Sequence, residues 1–275
     1  MSRVFRALEK AEREKEAKPK ESAPLKILKE DALPRDEGAP STGPERGKEK
    51  TQVAENPEVS TLVVPPGSFA AEQFRKLKTQ IFHWSSPSPR TLLVTSAVPD
   101  EGKSVVAFNL ALAISQEIHK KAILVDADLR NPSLHLQEHP GFRGLSNYLS
   151  EQIPLLDIMI PFGEDNLWII PAGPVSKKSS ELIGTRKMKE FLKSLGEFRE
   201  ETYVVIDSPP ILSAADPILL SKMVDGVILV VMADRTPRES VQRAIQLIDR
   251  EKIIGVVMNQ VAVKPSKYYY GYPRE

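Results

Sequence analysis

Eight consecutive residues, Ala97-Val-Pro-Asp-Glu-Gly-Lys-Ser104, have the spacing of a phosphate-binding loop, with alanine where the pattern usually has its first glycine. Gly102 allows the backbone to approach phosphate oxygens closely, Lys103 can reach the outer phosphates, and the Ser104 hydroxyl can bind Mg²⁺. Backbone N–H groups and the dipole of the following helix add positive potential. We therefore expect a nucleotide phosphate site made by Pro99, Asp100, Glu101, Gly102, Lys103, Ser104 and Val105.

Three aspartates stand where buried strands are expected to end. Asp126 and Asp128 follow one apolar run, and Asp207 ends another. Because ligands of open α/β sheets bind at the carboxyl ends of the strands, we expect all three carboxylates near the phosphate loop. Carboxylates gathered in this way repel one another without a cation, and Mg²⁺ prefers oxygen ligands. The sequence therefore predicts a phosphate-bound Mg²⁺ beside them.

The elements that must position these residues begin at about residue 67, where apolar, β-branched runs alternate with helical periodicity. The predicted strands are Thr91–Thr95, Ala122–Asp126, Leu167–Pro171, Tyr203–Asp207, Gly226–Val231 and Ile253–Met258. The predicted helices are Phe69–Trp84, Lys103–Ile118, Gly144–Ser150, Ile183–Leu195, Ala214–Met223 and Pro237–Arg250. Strands that are apolar on both faces and separated by helices indicate an α/β fold, with a mostly parallel sheet covered by helices on both faces.

The composition excludes several classes of protein. The 275 residues include 38 basic and 37 acidic side chains, and this balance argues against a protein that coats nucleic acid or an anionic membrane. The absence of cysteine excludes disulfide frameworks, thiol nucleophiles and cysteine-based metal sites. No apolar run approaches the ~20 residues of a membrane span, and the charged N-terminus lacks the apolar core of a secretion signal. We expect a soluble cytoplasmic protein.

The first 60 residues differ in composition from the rest. They combine dense mixed charge with recurrent proline, and Phe5 is their only aromatic side chain. Such a segment buries too little apolar area to offset its conformational entropy. We predict an amphipathic helix over 1–17, either a docking segment or a frayed terminus, and a disordered linker over 18–66. The folded domain is predicted over 67–262 and a tyrosine-rich tail over 263–275.

The order of the motifs resembles that of the bacterial tyrosine kinases of capsule and exopolysaccharide synthesis, which are relatives of the MinD/ParA group of P-loop ATPases. The phosphate loop comes first, ILVDADLRNPSLH follows as a second Walker A-like motif, and YVVIDSPPIL comes last as a Walker B motif. The resemblance covers roughly residues 67–275. In addition, the opening SRVFRALEKA is similar to the start of soluble autokinases linked to exosortase-type polysaccharide loci.

This resemblance implies a P-loop fold, ATP and Mg²⁺ as ligands, and transfer of the ATP γ-phosphate to tyrosine. The implied catalytic residues are Lys103, Asp126, Asp128 and Asp207, and the implied Mg²⁺ ligands are Ser104, Asp128 and Asp207. Either Asp126 or Asp128 would accept the proton of the tyrosine hydroxyl. Asn259 ends the last predicted strand, where related ATPases contact adenine, although a simple turn residue is the alternative.

Four of the six tyrosines lie close together near the C-terminus: Tyr268, Tyr269, Tyr270 and Tyr272. Family members autophosphorylate such a tail. Tyr270 follows Asn259 by eleven residues and reaches at most about 40 Å beyond it, enough for the active site of a neighbouring subunit. An aromatic patch that docks on the domain is the alternative.

Glu72, Arg75 and Lys78 match the E-x-x-R-x-x-R/K motif through which the family forms ring-like oligomers. An amphipathic helix that packs on its own domain explains the same charges equally well.

Departures from the family pattern bear on ATP binding. Asp100 replaces the glycine of Pro-Gly-Glu-Gly-Lys-Ser, and aspartate tolerates a positive φ less well than glycine. Its carboxylate is also expected to weaken the affinity for phosphates. Residues Val175 to Ser179 replace a proline-rich stretch. The signature lysine of MinD/ParA proteins is absent from the start of the loop, which favours the kinase branch.

These motifs favour an ATP-dependent protein-tyrosine autokinase that regulates polysaccharide polymerisation and export. The alternatives are a MinD/ParA-type ATPase switch without phosphotransfer and an ATP-binding export regulator whose catalysis is weakened. The resemblance implies a transmembrane activator, a cognate tyrosine phosphatase and further copies of the chain as partners, with no nucleic acid. It also implies that the activator holds the chain at the inner face of the cell membrane.

Overall fold

The computed structural model describes residues 61–134, 143–163, 166–198 and 201–262. The predicted helix over 1–17, nearly all of the predicted linker and the tyrosine-rich tail lie outside these residues. The helices are α1 (Phe69–Phe82), α2 (Lys103–Ser115), α3 (Leu145–Ser150), α4 (Ser179–Ile183), α5 (Arg186–Gly196), α6 (Asp216–Ser221) and α7 (Arg238–Gln246). The strands are β1 (Thr91–Ser96), β2 (Lys121–Asp126), β3 (Ile160–Phe162), β4 (Leu167–Ile170), β5 (Thr202–Asp207), β6 (Gly226–Met232) and β7 (Ile253–Asn259).

The strands form one sheet in the order β3-β4-β2-β5-β1-β6-β7. All neighbouring pairs are parallel except β3 and β4, so the expected mostly parallel sheet is confirmed. Since β5 lies between β1 and β2, the loops that leave the carboxyl ends of these three strands are brought together. This is the edge at which open α/β sheets bind ligands.

Helices cover both faces of the sheet and bury its apolar side chains. On one face α1 and α2 supply Ile81 and Phe108, which belong to the same buried cluster as Leu92 of β1. On the other face α5 and α6 supply Phe191 and Leu220. The helix α2 is buried over most of its surface because α1 packs on its outer side. Burial on two sides fixes the direction in which its first turn, Lys103 and Ser104, points.

Two features differ from the expectations drawn from the sequence. The strand β3 was not predicted, because its three residues are too few to show a period; it pairs antiparallel with β4 at the sheet edge. The predicted helix Ile183–Leu195 is wrong at its start. The chain ends α4 at Ile183 and starts α5 at Arg186, because Thr185 is extended and its hydroxyl accepts a hydrogen bond from the N–H of Met188.

The segment before α1 is joined to the phosphate-loop helix by one buried side chain. The Oδ1 atom of Asn109 in α2 accepts a hydrogen bond from the N–H of Val64 at 2.9 Å, and its Nδ2 atom donates to the carbonyl oxygen of Leu62 at 2.7 Å. Leu62 and Val63 also pack against the core. The packed domain therefore extends upstream of its predicted start at residue 67.

None of the helices within the described ranges combines the length and the apolar character needed to cross a membrane.

Candidate nucleotide and phosphotransfer site

The phosphate loop leaves the buried strand β1 and reverses direction through two residues with positive φ. Asp100 has φ 64°, so aspartate does occupy the left-handed conformation that glycine would adopt more easily. Gly102 has φ 82°, and a Cβ atom there would lie 2.1 Å from the Nδ2 atom of Asn259. Pro99 and Asp100 form the exposed rim, and α2 begins at Lys103. The loop thus places the N-terminus of the buried helix α2 at the carboxyl edge of the sheet.

Glu101 points into the protein. Its side chain is 1% exposed, and its carboxylate accepts hydrogen bonds from the N–H of Val98 at 2.8 Å, the N–H of Met232 at 3.2 Å and the Thr236 hydroxyl. Because this carboxylate is occupied, Glu101 offers a phosphate only its backbone. The side chain holds the phosphate loop to the connection between β6 and α7.

Asn259 ends β7 and contacts the phosphate loop. Its Nδ2 atom donates to the carbonyl oxygen of Glu101 at 3.0 Å. The family resemblance implied a contact between this residue and adenine; within the described residues its amide bonds to the loop directly before Gly102. The alternative, a residue that only forms a turn, does not account for this hydrogen bond.

Lys103 and Asp128 face each other across the site. The Nζ atom of Lys103 lies 3.9 Å from Oδ2 of Asp128, and both side chains are largely buried. The other carboxylate oxygen, Oδ1, accepts a hydrogen bond from the N–H of Asn131 at 3.0 Å, which fixes the rotation of the carboxylate. A cation and an anion are therefore held side by side at the start of α2.

Asp126 is buried at the end of β2 and organises the loop that follows. Its Oδ1 accepts from the N–H of Asp128 at 3.0 Å, and its Oδ2 accepts from the N–H groups of Ser133 and Leu134 at 3.0 and 3.1 Å. Burial, reinforced by the charge of Asp207, raises the pKa of Asp126 to about 7, against the opposing effect of these donors. We name residues 127–134 the Asp126 loop, because the chain wraps around this carboxylate.

Asp207 ends β5 in register with Asp126. Its Oδ2 accepts a hydrogen bond of 2.8 Å from the Ser133 hydroxyl, while its buried Oδ1 has no partner within the described part of the chain. Burial raises the pKa of Asp207, and the charge of Lys103 and the hydroxyls of Ser104 and Ser133 act in the opposite direction. An unpaired buried carboxylate oxygen beside a hydroxyl is a place where a cation is expected.

The donors present suit Mg²⁺ better than a metal enclosed by protein. In the ranges that the structure describes, no three histidine, cysteine or acidic side chains converge on a metal site. Mg²⁺ is commonly held by one or two carboxylates together with substrate phosphates and waters. The Asp207 carboxylate, with the Ser104 hydroxyl and the Asp128 carboxylate near it, offers donors of this kind.

The three residues of the oligomerisation motif differ in exposure and in their partners. Glu72 and Arg75 form an exposed pair on α1, with 2.9 Å between Oε2 and Nη1. Lys78 is largely buried and donates to Glu117, just after α2. Lys78 therefore braces α1 against the phosphate-loop helix of its own chain. The tail tyrosines fall outside the described residues.

Sequence reasoning missed Ser133 and Thr236. Ser133 donates its hydroxyl to Asp207, and Thr236 donates its hydroxyl to Glu101. Ser133 stands within the second Walker A-like motif, so its position was a usable signal. Thr236 had none, since only the fold brings the β6–α7 connection to the phosphate loop.

Comparison with known proteins shows which family the chain belongs to. The profile of the ParA family, described as a NUBPL iron-transfer P-loop NTPase, matches residues 89–268. The tyrosine-protein kinase YwqD of Bacillus subtilis is 32% identical over 212 residues, which cover 75% of this chain and 88% of the relative. The putative tyrosine-protein kinase CapB of Staphylococcus aureus is 30% identical and is covered over 92% of its length.

Solved structures agree with these relatives. The chimerical protein CapA2B2 superimposes with a TM-score of 0.67 at 31% identity, with 74% of this chain and 90% of that chain covered. The kinase domain of the Escherichia coli tyrosine kinase ETK gives a TM-score of 0.64 at 28% identity, with 75% and 82% covered. The chain therefore belongs to the bacterial tyrosine-protein kinase family, a branch of the nucleotide-binding P-loop NTPases of ParA type.

Proposed function

We propose that this chain is an ATP-dependent protein-tyrosine autokinase that transfers the γ-phosphoryl group of ATP to tyrosines of its own C-terminal segment, residues 263–275. The observation that carries the proposal is the pair formed by Lys103 and Asp128, with 3.9 Å between Nζ and Oδ2 at the first turn of α2. A cation that neutralises phosphate charge and an adjacent carboxylate that accepts a proton are the two groups that this transfer requires.

Binding relies on the phosphate loop. The first N–H groups of α2 have no acceptor within the helix and are available to a ligand at the carboxyl edge of the sheet. No acidic side chain lies in the first turn of that helix. Lys103 is the side chain that we assign to the β- and γ-phosphates. Phosphoryl transfer depends mainly on position and electrostatics, so a rigid loop held by Glu101 and Asn259 is the main contribution of the protein.

The proton of the acceptor tyrosine goes to Asp128 in this proposal. The tyrosine oxygen forms a bond to the γ-phosphorus, the bond from that phosphorus to the bridging oxygen breaks, and ADP leaves. The alternative base, Asp126, is fully buried, and each of its oxygens already accepts a backbone N–H. Asp128 has an oxygen that faces the site, so we assign the proton to it.

Ser104 and Asp207 would hold Mg²⁺, which would neutralise negative charge on the phosphates. The support for this assignment is the unpaired buried Oδ1 atom of Asp207. Ser133, which donates to the other oxygen of the same carboxylate, fixes the orientation of Asp207.

The acceptor tyrosines follow the last strand. The strand β7 ends at Asn259, which contacts the phosphate loop, so the tail starts at the edge of the sheet that carries the site. Tyr270 is eleven residues further on and can reach about 40 Å at most, so transfer between neighbouring subunits is within its range. We propose transfer in trans within a homo-oligomer in which the exposed Glu72 and Arg75 take part.

The biological role proposed is regulation of capsule or exopolysaccharide polymerisation and export. A transmembrane activator would dock the chain at the inner face of the cell membrane, and a tyrosine phosphatase would reverse the modification. The support is the relationship to the tyrosine-protein kinases named above, together with the order of the motifs.

The test is to incubate the purified full chain with γ-labelled ATP and Mg²⁺ and to map phosphotyrosine by mass spectrometry. We expect label on Tyr268, Tyr269, Tyr270 or Tyr272. Lys103→Met should abolish it, and Lys189→Met, at an exposed lysine of α5, should not. Label that persists in Lys103→Met would contradict the assignment of the site.

A second candidate is a ParA-type ATPase switch that transfers nothing to protein, which the match to the ParA family profile favours. It predicts hydrolysis of ATP without any labelled tyrosine in the same experiment. The catalytically weakened export regulator would show neither signal.

A further inference from the structure

A buried carboxylate that the mechanism does not use lies at the start of α6. Asp216 is completely inaccessible to solvent, and the hydroxyls of Ser179 and Ser180 at the start of α4 both donate to it. The guanidinium of Arg130 is its third partner, with 3.5 Å from Nε to Oδ2. Arg130 also donates from Nη2 to the Ser180 hydroxyl at 2.8 Å. We name Arg130, Ser179, Ser180 and Asp216 the Asp216 cluster.

This cluster fastens the Asp126 loop from the outside. Arg130 belongs to that loop and follows Asp128 by two residues, and a second bond runs from the N–H of Ser176 to the carbonyl oxygen of Leu129 at 2.9 Å. From the inside, the same loop is held by the carboxylate of Asp126. Asp128 therefore lies between two anchor points, one on β2 and one on α6.

The two anchors differ in chemistry. The inner anchor joins the Asp126 carboxylate to backbone N–H groups of the loop, whereas the outer anchor joins two side chains, those of Arg130 and Asp216. The Arg130 side chain is half exposed, and the carboxylate that binds it is wholly buried. The buried carboxylate of Asp216 therefore restrains the Arg130 side chain, which would otherwise move freely in solvent.

We propose that Asp216 is a positioning residue for phosphotransfer, which acts through Arg130 to hold Asp128 opposite Lys103. The inference rests on the proposed function, because it assigns a role in the same transfer step. Loss of the Arg130–Asp216 contact leaves the phosphate loop intact but lets Asp128 move away from the acceptor oxygen. Displacements of about 1 Å from distant changes cost up to about 10²-fold in rate.

The experiment compares Arg130→Gln, Arg130→Lys, Asp216→Asn and the double variant Arg130→Gln/Asp216→Asn in the full chain. The matched control is Arg186→Gln, which removes an exposed arginine paired with Glu190 on α5. We measure the initial rate of phosphotyrosine formation against ATP concentration, and the affinity for a fluorescent ATP analogue. We expect Arg130→Gln to lower kcat at least about tenfold with KM and analogue affinity within about twofold.

Arg130→Lys keeps the charge and should recover part of kcat, and the double variant should be no slower than the slower single variant. A wild-type kcat in Arg130→Gln, or rate losses that multiply in the double variant, would overturn the proposal. Arg130→Gln changes a half-exposed side chain and keeps the two serine donors of Asp216, so the conclusion does not depend on whether Asp216→Asn folds.

Hydrogen exchange separates this inference from the proposed function. Arg130→Gln should speed exchange of the amides of Asn131 and Ser133, which donate to Asp128 and Asp126, and leave exchange in α2 unchanged. If the wild-type chain labels no tyrosine, the proposed function fails. Exchange at the amides of Asn131 and Ser133 then decides by itself whether Arg130 holds the Asp126 loop in place. Unchanged exchange at both amides would overturn the inference even in an active kinase.

Discussion

The side chain of Asn259 donates a hydrogen bond of 3.0 Å to the carbonyl oxygen of Glu101, and it thereby joins the last strand of the sheet to the phosphate loop. Gly102 lies directly beneath the same amide. The loop is thus held at its final turn by a residue more than 150 positions later in the chain.

Asn259→Ala should weaken ATP binding. Loss of this bond frees the loop before Gly102, and a hydrogen bond of this kind contributes about 1 kcal/mol, or about fivefold in affinity. Titration with a fluorescent ATP analogue measures the change. Asn166→Ala, at an exposed asparagine before β4, is the control, and equal affinities of the two variants would count against a role for Asn259.

Substitution of Asp100 tests whether its negative charge or its backbone strain limits the affinity for ATP. Its carboxylate is exposed on the rim of the phosphate loop and its φ is 64°. Asp100→Asn removes the charge but keeps a side chain that tolerates this conformation, whereas Asp100→Gly removes both. We expect both variants to bind ATP more tightly, by about 2- to 5-fold at low salt, with the gain falling as salt is added. Unchanged affinity in Asp100→Asn, with a gain only in Asp100→Gly, would assign the effect to strain.

Stability should fall as the pH rises toward neutrality. The pKa of Asp126 is about 7 in the folded chain against an ordinary 3.8, so the folded state holds this proton more tightly than the unfolded chain between those values. The free energy of unfolding therefore decreases from about pH 4 to about pH 7, with a slope of at most about 1.4 kcal/mol per pH unit for one proton. Asp207, whose pKa is also raised, contributes in the same direction.

Asp126→Asn should flatten this dependence in denaturant titrations of the nucleotide-free chain. Asp157→Asn, at an exposed aspartate, is the control and should leave the slope unchanged. A slope in Asp126→Asn equal to that of the wild type would mean that another group binds the proton.

The three charges of α1 should separate into two roles. Lys78→Met removes the partner of Glu117, whose pKa is lowered chiefly by the hydrogen bond and charge of Lys78. The variant should melt at a slightly lower temperature, because solvent screens the partly exposed Glu117 but Lys78 itself is largely buried. Arg75→Gln breaks only an exposed pair and should leave the melting temperature unchanged. Light scattering of the unphosphorylated chain should show smaller assemblies for Arg75→Gln. Assemblies of wild-type size would remove Arg75 from the interface.

The upstream limit of the domain can be tested by deletion. Deletion of residues 1–60 should leave the melting temperature and nucleotide affinity unchanged, while deletion of 1–66 removes two of the three partners of Asn109 and the apolar contacts of Leu62 and Val63. The Oδ1 atom of Asn109 then has lost its donor, although Nδ2 still donates to the carbonyl oxygen of Val105. A polar atom that loses its partner costs about 1–3 kcal/mol, so the shorter chain should melt a few degrees lower. Equal melting temperatures would place the limit at residue 67.

The central strands and the phosphate loop were predictable because their signals are local. Buried strands appear as continuous apolar runs, and Gly102, Lys103 and Ser104 occupy adjacent positions before a helix. The division at Gly184 and Thr185 was not predicted, because a helical period continues across it and only the extended backbone of Thr185 reveals the cap.

The partners of the site residues were less accessible to sequence reasoning. Asp126 and Asp128 have the same residue type and lie two positions apart, yet one is enclosed by backbone N–H groups and the other faces a lysine. Asp216 stands 86 positions after its partner Arg130 in the sequence, so nothing local connects them. Such relationships are set by strand order, which brings β5 between β1 and β2.

Asn109 has a mechanical consequence. Its side chain forms hydrogen bonds to the backbone of Leu62 and Val64, and it belongs to the same helix as Lys103 and Ser104. A force applied to the chain at Leu62 would therefore act on Asn109 of α2 and on the core contacts of Leu62 and Val63 before it reached α1. The segment before α1 is thus coupled to the helix that bears the phosphate-binding residues.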